Sequence, residues 1–315
     1  MVNSFIARGV FRVLSVNKFD LITWVKDGAW VLPTTLKRLE DVLPTELVHR
    51  KIMVDDGSKD ETRNIGKDFN WEVYSNPGSG ISSGANYALS KVDCPFFMSF
   101  EQDLFLSKDW CAKILGLMEN DKVAVASGMR FSNCPKAVHD LEKYVHMKYL
   151  LEEKIAPYLA NRRASAYTLG KTLDNTLFRT SAVQKIGGFP VIKTGFGIDT
   201  LLSYTFYQHG YVWIVDPTCH SIHLRHGLSQ ELKHQRWYAV AAIETRERLK
   251  KMELDLPWNV LEIGVKYSGI QLLMSPFVGV FVSIKTRNPM ISVVHPLLKL
   301  FKFVGHLDSL KGANF

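Results

Sequence analysis

The 315-residue chain is predicted to take an α/β fold, a mostly parallel sheet flanked by helices, with a helical and partly apolar C-terminal extension. Three observations lead there. Short β-like runs alternate with helix-periodic stretches from Asp20 to about Val125, the pattern of consecutive βαβ units. Residues 95–100 are almost wholly apolar, as a strand buried on both faces of a parallel sheet must be. Past Arg130 the alternation gives way to longer helical periodicities, and residues 267–284 carry no charge at all.

The elements follow in order. Residues 21–25 read as the first strand, and Leu32, Leu36 and Leu39, with Pro33 near the start, mark one face of the next helix. Residues 51–54 and 71–74 give the second and third strands. A loop at 76–80 leads into a helix over 82–91, and 95–100 is the fourth strand. Ser107 is placed to cap a helix on which Trp110, Ile114, Leu115 and Met118 recur at helical spacing, and residues 123–126 return as a strand. Val138, Leu141, Val145 and Ile155 predict a long amphipathic helix, followed by a polar loop at 161–166 and a segment containing Gly187-Gly188-Phe189. A helix over 201–208 stops at Gly210, residues 211–215 form a strand, and 229–254 form a charged helix with Glu244/Arg248 and Glu247/Lys251 at i,i+4.

With 46% apolar and 22% charged residues and a mean hydropathy of −0.03, the chain has the balance of a globular protein, not of a disordered tail or polytopic membrane protein. At this length roughly three quarters of the unfolded surface is buried on folding, so neither disulfides nor a structural metal is required. Cys94, Cys111, Cys134 and Cys219 stand far apart and form no C-x-x-C, which points to a reducing compartment. Arg8, Arg12, Lys18, Asp20 and Lys26 interrupt every early apolar run, so no signal peptide is expected. The net charge of +8 suits anionic partners such as nucleotide phosphates or acidic lipid head groups; its spread along the chain argues against nucleic acid. In the C-terminal region, Gln271, three serines and Pro276 count against a membrane span at 267–284. Trp258, Lys266, Lys285, Lys299 and Lys302 favour a helix in the membrane interface, with core or oligomer contact as the remaining reading. A second apolar stretch at 290–298 is expected to break at Pro296.

Chemistry is concentrated at the ends of the predicted strands, where open α/β sheets place their ligands. The strongest local signal is the DDGSKD run at 55–60. Such a turn can also simply start a helix, with Ser58 or Asp60 capping and Gly57 supplying a positive φ. Glu101 and Asp103, two residues apart after the fourth strand, are able to hold a hard divalent cation that itself grips phosphate oxygens.

In combination these spacings resemble the family-2 nucleotide-sugar glycosyltransferases of the GT-A fold. The resemblance runs over residues 20–230 in the right order: Thr23-Trp24-Val25-Lys26-Asp27, DDGSKD, Gly80-Ile81-Ser82-Ser83-Gly84-Ala85-Asn86, Phe100-Glu101-Gln102-Asp103, Gly187-Gly188-Phe189 and Gly195-Phe196-Gly197-Ile198-Asp199. It implies that Asp55 and Asp56 lie beside the base and ribose of a nucleotide sugar, with Thr23 and Asp27 lining the same pocket and Asn86 helping to hold the donor. Glu101, Gln102 and Asp103 would meet the diphosphate, Glu101 and Asp103 through Mg²⁺ or Mn²⁺. Asp199 aligns with the general base of an inverting reaction, and an Asp there also suits a helix N-cap. His220, His223 and His226 lie where the family often has a histidine reaching the metal. His223 and His226 are preferred because they precede Ser229 in a pattern like the family's H-x-H-x-x-S.

Departures from the family pattern include Ala85, where an arginine is common before Asn86, Leu104 after Asp103, and Ile198 before Asp199. Without that arginine the metal, Lys26 or Arg225 must supply more charge to the diphosphate. The expected organisation is a catalytic domain at 1–228, with a nucleotide-binding half at 20–130 and an acceptor half at 131–228. A helical region at 229–315 would meet a membrane interface or form a homo-oligomer. The implied function is transfer of a sugar from a UDP- or GDP-sugar to a lipid-linked glycan or glycolipid at the cytoplasmic membrane face. Transfer to a polyprenyl phosphate, as in dolichyl-phosphate mannose synthases, is the alternative. A non-catalytic scaffold or nucleic-acid-binding α/β protein is the reading of another class.

Overall fold

The computed structural model describes residues 18–152, 171–252 and 264–311. Strand β1 (Phe19–Val25), buried along its whole length, pairs in parallel with β2 (Val48–Asp55) on one side and β4 (Phe96–Glu101) on the other, and β3 (Glu72–Ser75) extends the sheet beyond β2. Strands β6 (Val123–Ser132) and β8 (Val212–His223) pair in parallel with each other. Between β4 and β6 lies β7 (Thr176–Arg179), antiparallel to both, and the two-residue β5 (Leu104–Phe105) closes the far edge against the end of β8. The eight strands therefore run in the order β3-β2-β1-β4-β7-β6-β8-β5.

The two-residue side-chain period of a strand divides the core into two layers. From β1, Ile22 and Trp24 enter one layer with Phe97 and Phe178, under α3 (Gly80–Leu89) and α7 (Ile198–Gln208). Leu21 and Val25 enter the other with Met98 and Phe100, under α1 (Leu32–Val42) and α4 (Trp110–Ile114). The helix expected behind Ser107 is short: it starts after Asp109 and passes at Leu115 into a 3-10 turn, which brings Leu115 and Met118 into the same core. Short helices α2 (Thr62–Asp68) and α6 (Thr180–Lys185) follow β2 and β7. The strand expected at 211–215 runs on to His223 through a register shift opposite Gly128/Met129, so His220 and His223 lie within it rather than after it. All four cysteines are unpaired.

Among the described residues, the remaining helices are α5 (Lys136–Glu152), α8 (Leu228–Lys250), α9 (Val265–Thr286) and α10 (Ile291–Leu310). Val138 and Leu141 of α5 form a small separate core with Val282 of α9 and Ile291, Val294 and Leu298 of α10. Pro296 sits inside α10 without ending it; packing of Val294 and Leu298 on either side offsets the lost hydrogen bond. Gly305 of α10 lies against the Arg236 carbonyl of α8, and Arg236 pairs with Asp308 at 2.6 Å. Among the described residues, α9 is the one helix long and apolar enough to cross a membrane by length and composition. The loop expected at 161–166, Ile155, Trp258 and the end of the charged helix at 253–254 lie outside the described residues.

Candidate active site

Strands β1, β2 and β4 end together, and their tips open into a cleft of about 350 Å³. The DDGSKD turn divides its work within this frame. Its second half is a clasp: Ser58 Oγ accepts the Asp27 N–H, Asp60 accepts the Ala29 N–H, and the Thr62 hydroxyl accepts the Gly28 N–H, at 2.7–3.0 Å. Asp55 is buried and occupied by Arg63 at 3.0 Å and by the Ser58 N–H, while Gly57 makes the turn with φ +78°. Asp56 is the carboxylate of the pair that reaches the cleft, held by Asn76 Nδ2 (2.7 Å) and the Gly80 N–H (2.9 Å), with Lys26 Nζ at 3.5 Å.

At the end of β4, Glu101, Gln102 and Asp103 all line the cleft. Gln102 bonds both the N–H and the carbonyl of Lys26, which locks the two strand ends together. Donor atoms of Glu101, Asp103 and His223 lie within 4.8 Å of one another, and His223 Nε2 is 2.8 Å from Asp103 Oδ2. Two carboxylates and an imidazole form a donor set that fits Mn²⁺ or Mg²⁺. Burial pulls the His223 imidazole below its ordinary value, against the opposing pull of Asp103. Burial alone would raise Asp103; the charges and hydrogen bond of His223, with Arg225 and Arg130 beyond, outweigh it and hold the carboxyl at about 2.

Asp199 reaches the same cleft from the first turn of α7. Gly197, at φ +85°, is the N-cap of that helix, and Asp199 follows two residues later, its carboxylate accepting the Thr200 N–H at 2.7 Å. Helix α8 fixes the loop before it: Glu244 accepts the Lys193 and Thr194 N–H groups, and Thr245 donates to the Phe196 carbonyl at 2.9 Å. Burial pushes the Asp199 carboxyl up to about 6, into the range of a general base.

Other residues of the expected site stand elsewhere. Thr23 is fully buried and donates to the Phe100 carbonyl, so it joins β1 to β4 rather than lining the cleft. Asp27 is committed to the clasp, accepting the Lys59 N–H at 2.8 Å. Asn86 brackets Phe189, accepting its N–H and donating to its carbonyl, and so ties α3 to the Gly187-Gly188-Phe189 turn. His226 does not join the carboxylates; its ring lies on Trp30 with centroids 3.6 Å apart. His220 bonds the Pro217 carbonyl at 2.7 Å.

The structure also brings in groups that motif reading passed over. Arg130, on β6, contacts His223 and lies 3.4 Å from Asp174 and 3.8 Å from Glu101. Asp174, wholly buried, accepts the Glu101 N–H at 2.6 Å. A lone charged residue in a buried strand was the available signal for Arg130. Arg225, which the sequence offered as a source of charge, stands 3.3 Å from Asp103, and Ala85 is buried in the core. His234, Trp237 and Tyr238 complete one wall from α8, so the cleft draws on residues either side of position 228.

The family model described as Glycosyl transferase family 2 matches residues 25–187. Among solved structures, the chain is similar to the mannosyltransferase PcManGT from Pyrobaculum calidifontis, solved with GDP-Man and Mn²⁺, at 12% identity and a TM-score of 0.60, covering 94% of this chain and 88% of that one. It is also similar to residues 1–349 of S. aureus TarS, solved with UDP-GlcNAc, at 13% identity and a TM-score of 0.51, covering 95% and 93%. No curated protein matches the chain.

Proposed function

The chain belongs to glycosyl transferase family 2, and from that premise we propose that it moves a sugar from a nucleotide-diphosphate donor to an acceptor hydroxyl, with inversion at the anomeric carbon. The observation that carries this reading is the convergence of Asp56, Glu101, Asp103 and Asp199 on one cleft, with His223 bonded to Asp103. Asp56 and the backbone of 24–26 receive the nucleoside. A divalent cation held by Glu101, Asp103 and His223 would neutralise charge on the departing diphosphate. Arg225 and Arg130 add fixed positive charge beside those carboxylates, and Lys26 adds an exposed one. The acceptor oxygen bonds to the anomeric carbon as that carbon's bond to the phosphate oxygen breaks. The electron pair leaves with the diphosphate, and the acceptor proton passes to Asp199.

A UDP- or GDP-sugar is the donor class, in keeping with the ligands of the two structural relatives. Asp199, buried and raised to about 6, favours a hydroxyl acceptor over a polyprenyl phosphate, whose oxygen is already ionised and needs no base. The acceptor is read as a lipid-linked glycan or glycolipid at the cytoplasmic membrane face. The deciding experiment is a thermal-shift screen against UDP-, GDP-, CMP- and dTDP-sugars with Mn²⁺, Mg²⁺ or EDTA. At a hundred times its Kd a donor stabilises the fold by about 2.7 kcal/mol. A metal-dependent shift with one nucleotide is expected; no shift with any donor would sink the reading.

A further inference from the structure

Helix α9 carries a feature the sugar-transfer site does not use. Ile270, Leu273, Phe277, Phe281 and Ile284 recur at spacings of three and four and form one apolar stripe open to solvent, with Leu273 75%, Phe277 72% and Ile284 70% exposed. A continuous row of this kind marks an interaction surface rather than ordinary scattered exposure. The opposite side is already engaged, Val282 packing among α5 and α10 residues. Cations close both ends. Lys266 precedes Ile270 by four residues and so shares its face; Lys285 lays its ammonium 5.7 Å from the Phe281 ring, and Arg287 ends the helix. Across 265–311 there are six basic residues and one acid, Asp308, which Arg236 occupies.

Charge decides what covers the stripe. Two copies placed face to face would set lysine and arginine ends against one another with no carboxylate on either stripe to offset them. Acyl chains between anionic headgroups match both the apolar row and its basic ends. A span across the bilayer is disfavoured by the packing: Asn288, in the turn after α9, bonds Asp140 of α5 at 2.8 Å, and α10 is fastened to α8 through Arg236 and Asp308. We propose that α9 seats the protein on an anionic phospholipid surface, lying in the interface with its stripe among the acyl chains and Lys266, Lys285 and Arg287 on the headgroup phosphates. The inference deepens the membrane-side reading of the acceptor and rests on it for its purpose; the exposed stripe and its basic ends carry it.

The test is flotation of the full chain with vesicles of phosphatidylcholine with and without about one third phosphatidylglycerol, at low and high salt. The protein should float with the anionic vesicles, weakly or not at all with the neutral ones, and less at high salt. Lys266→Gln and Lys285→Gln should each weaken binding roughly fivefold. Leu273→Asp with Phe277→Asp, both at exposed positions, should reduce it at least about tenfold. Absence of binding to either vesicle, or equal binding to both, would overturn the proposal. So would association that resists alkaline carbonate, which signals a span, or a wild-type dimer that Phe277→Asp dissociates. Each protein is also tested for donor-induced thermal shift. A donor shift without flotation removes the membrane seat alone, and flotation without a donor shift removes the sugar-transfer reading alone.

Discussion

At the scale of single residues, Asp199, the proposed base, lowers the stability of the fold through its burial. Its carboxyl, raised from 3.8 to about 6 by burial, is held more tightly protonated in the folded chain than in the unfolded one. Folding is therefore opposed by this group as pH rises through that interval, and the cost is fully present above about pH 6. Asp199→Asn should stabilise the protein at pH 8 by up to about 3 kcal/mol while removing the proposed base, so urea unfolding and turnover should move in opposite directions. Wild-type kcat should climb about tenfold per pH unit below 6 and level off above it. A flat profile, or an Asn variant that keeps most activity, would point to an acceptor that arrives already ionised. Asp103 differs in kind: Asp103→Asn should leave the fold standing and abolish the metal-dependent part of donor binding, read by calorimetry with and without EDTA.

At the scale of elements, two turns fix the site. Asp60 satisfies the Ala29 N–H and both the N–H and hydroxyl of Thr62, so Asp60→Ala should cost about 1–3 kcal/mol in denaturant midpoint and raise KM for the donor more than it lowers kcat. Gly197→Ala forces an L-residue to φ +85° and drives its Cβ into Thr245, and should lower thermal stability and turnover together. How far such elements could be read from sequence depended on whether their determinants were local. Strands β1, β2 and β4 were legible because an apolar run emerging into polar and acidic residues is a local pattern, and Asp56, Glu101, Gln102 and Asp103 came with them; Asp199, on the first turn of α7, was reached only through the resemblance. Insertion of β7 antiparallel between β4 and β6 was not, because its four residues carry no mark of the strands they pair with. Extension of β8 past Pro217 was hidden for a related reason: proline argues against a strand unless a bulge absorbs it, and the register shift here does so. Thr23, Asp27 and Asn86 sit in motif positions yet spend their polar atoms on backbone partners distant in sequence, which no spacing reveals.

At the scale of the whole molecule, α8 joins the catalytic unit to the C-terminal helices. One part of its surface supplies His234, Trp237 and Tyr238 to the cleft and Glu244 and Thr245 to the loop before Asp199, while Arg236 and Ala239 meet α10. Removing α9 and α10 would uncover Val138 and Leu141, so truncation reports on folding as well as on location. Gly305→Val, which sets a branched side chain against the Arg236 carbonyl and Ala239, should cost about 1–3 kcal/mol in urea unfolding and reduce turnover through the displaced α8 wall. The clasp formed by Ser58, Asp60 and Thr62 has a consequence for descent. Those side chains bond the backbone of residues 27–29, so a descendant that had fallen silent would still draw stability from them. Its DDGSKD signature would outlive its chemistry, and on the proposed mechanism the state of Asp103 and Asp199 would separate a working heir from a relic.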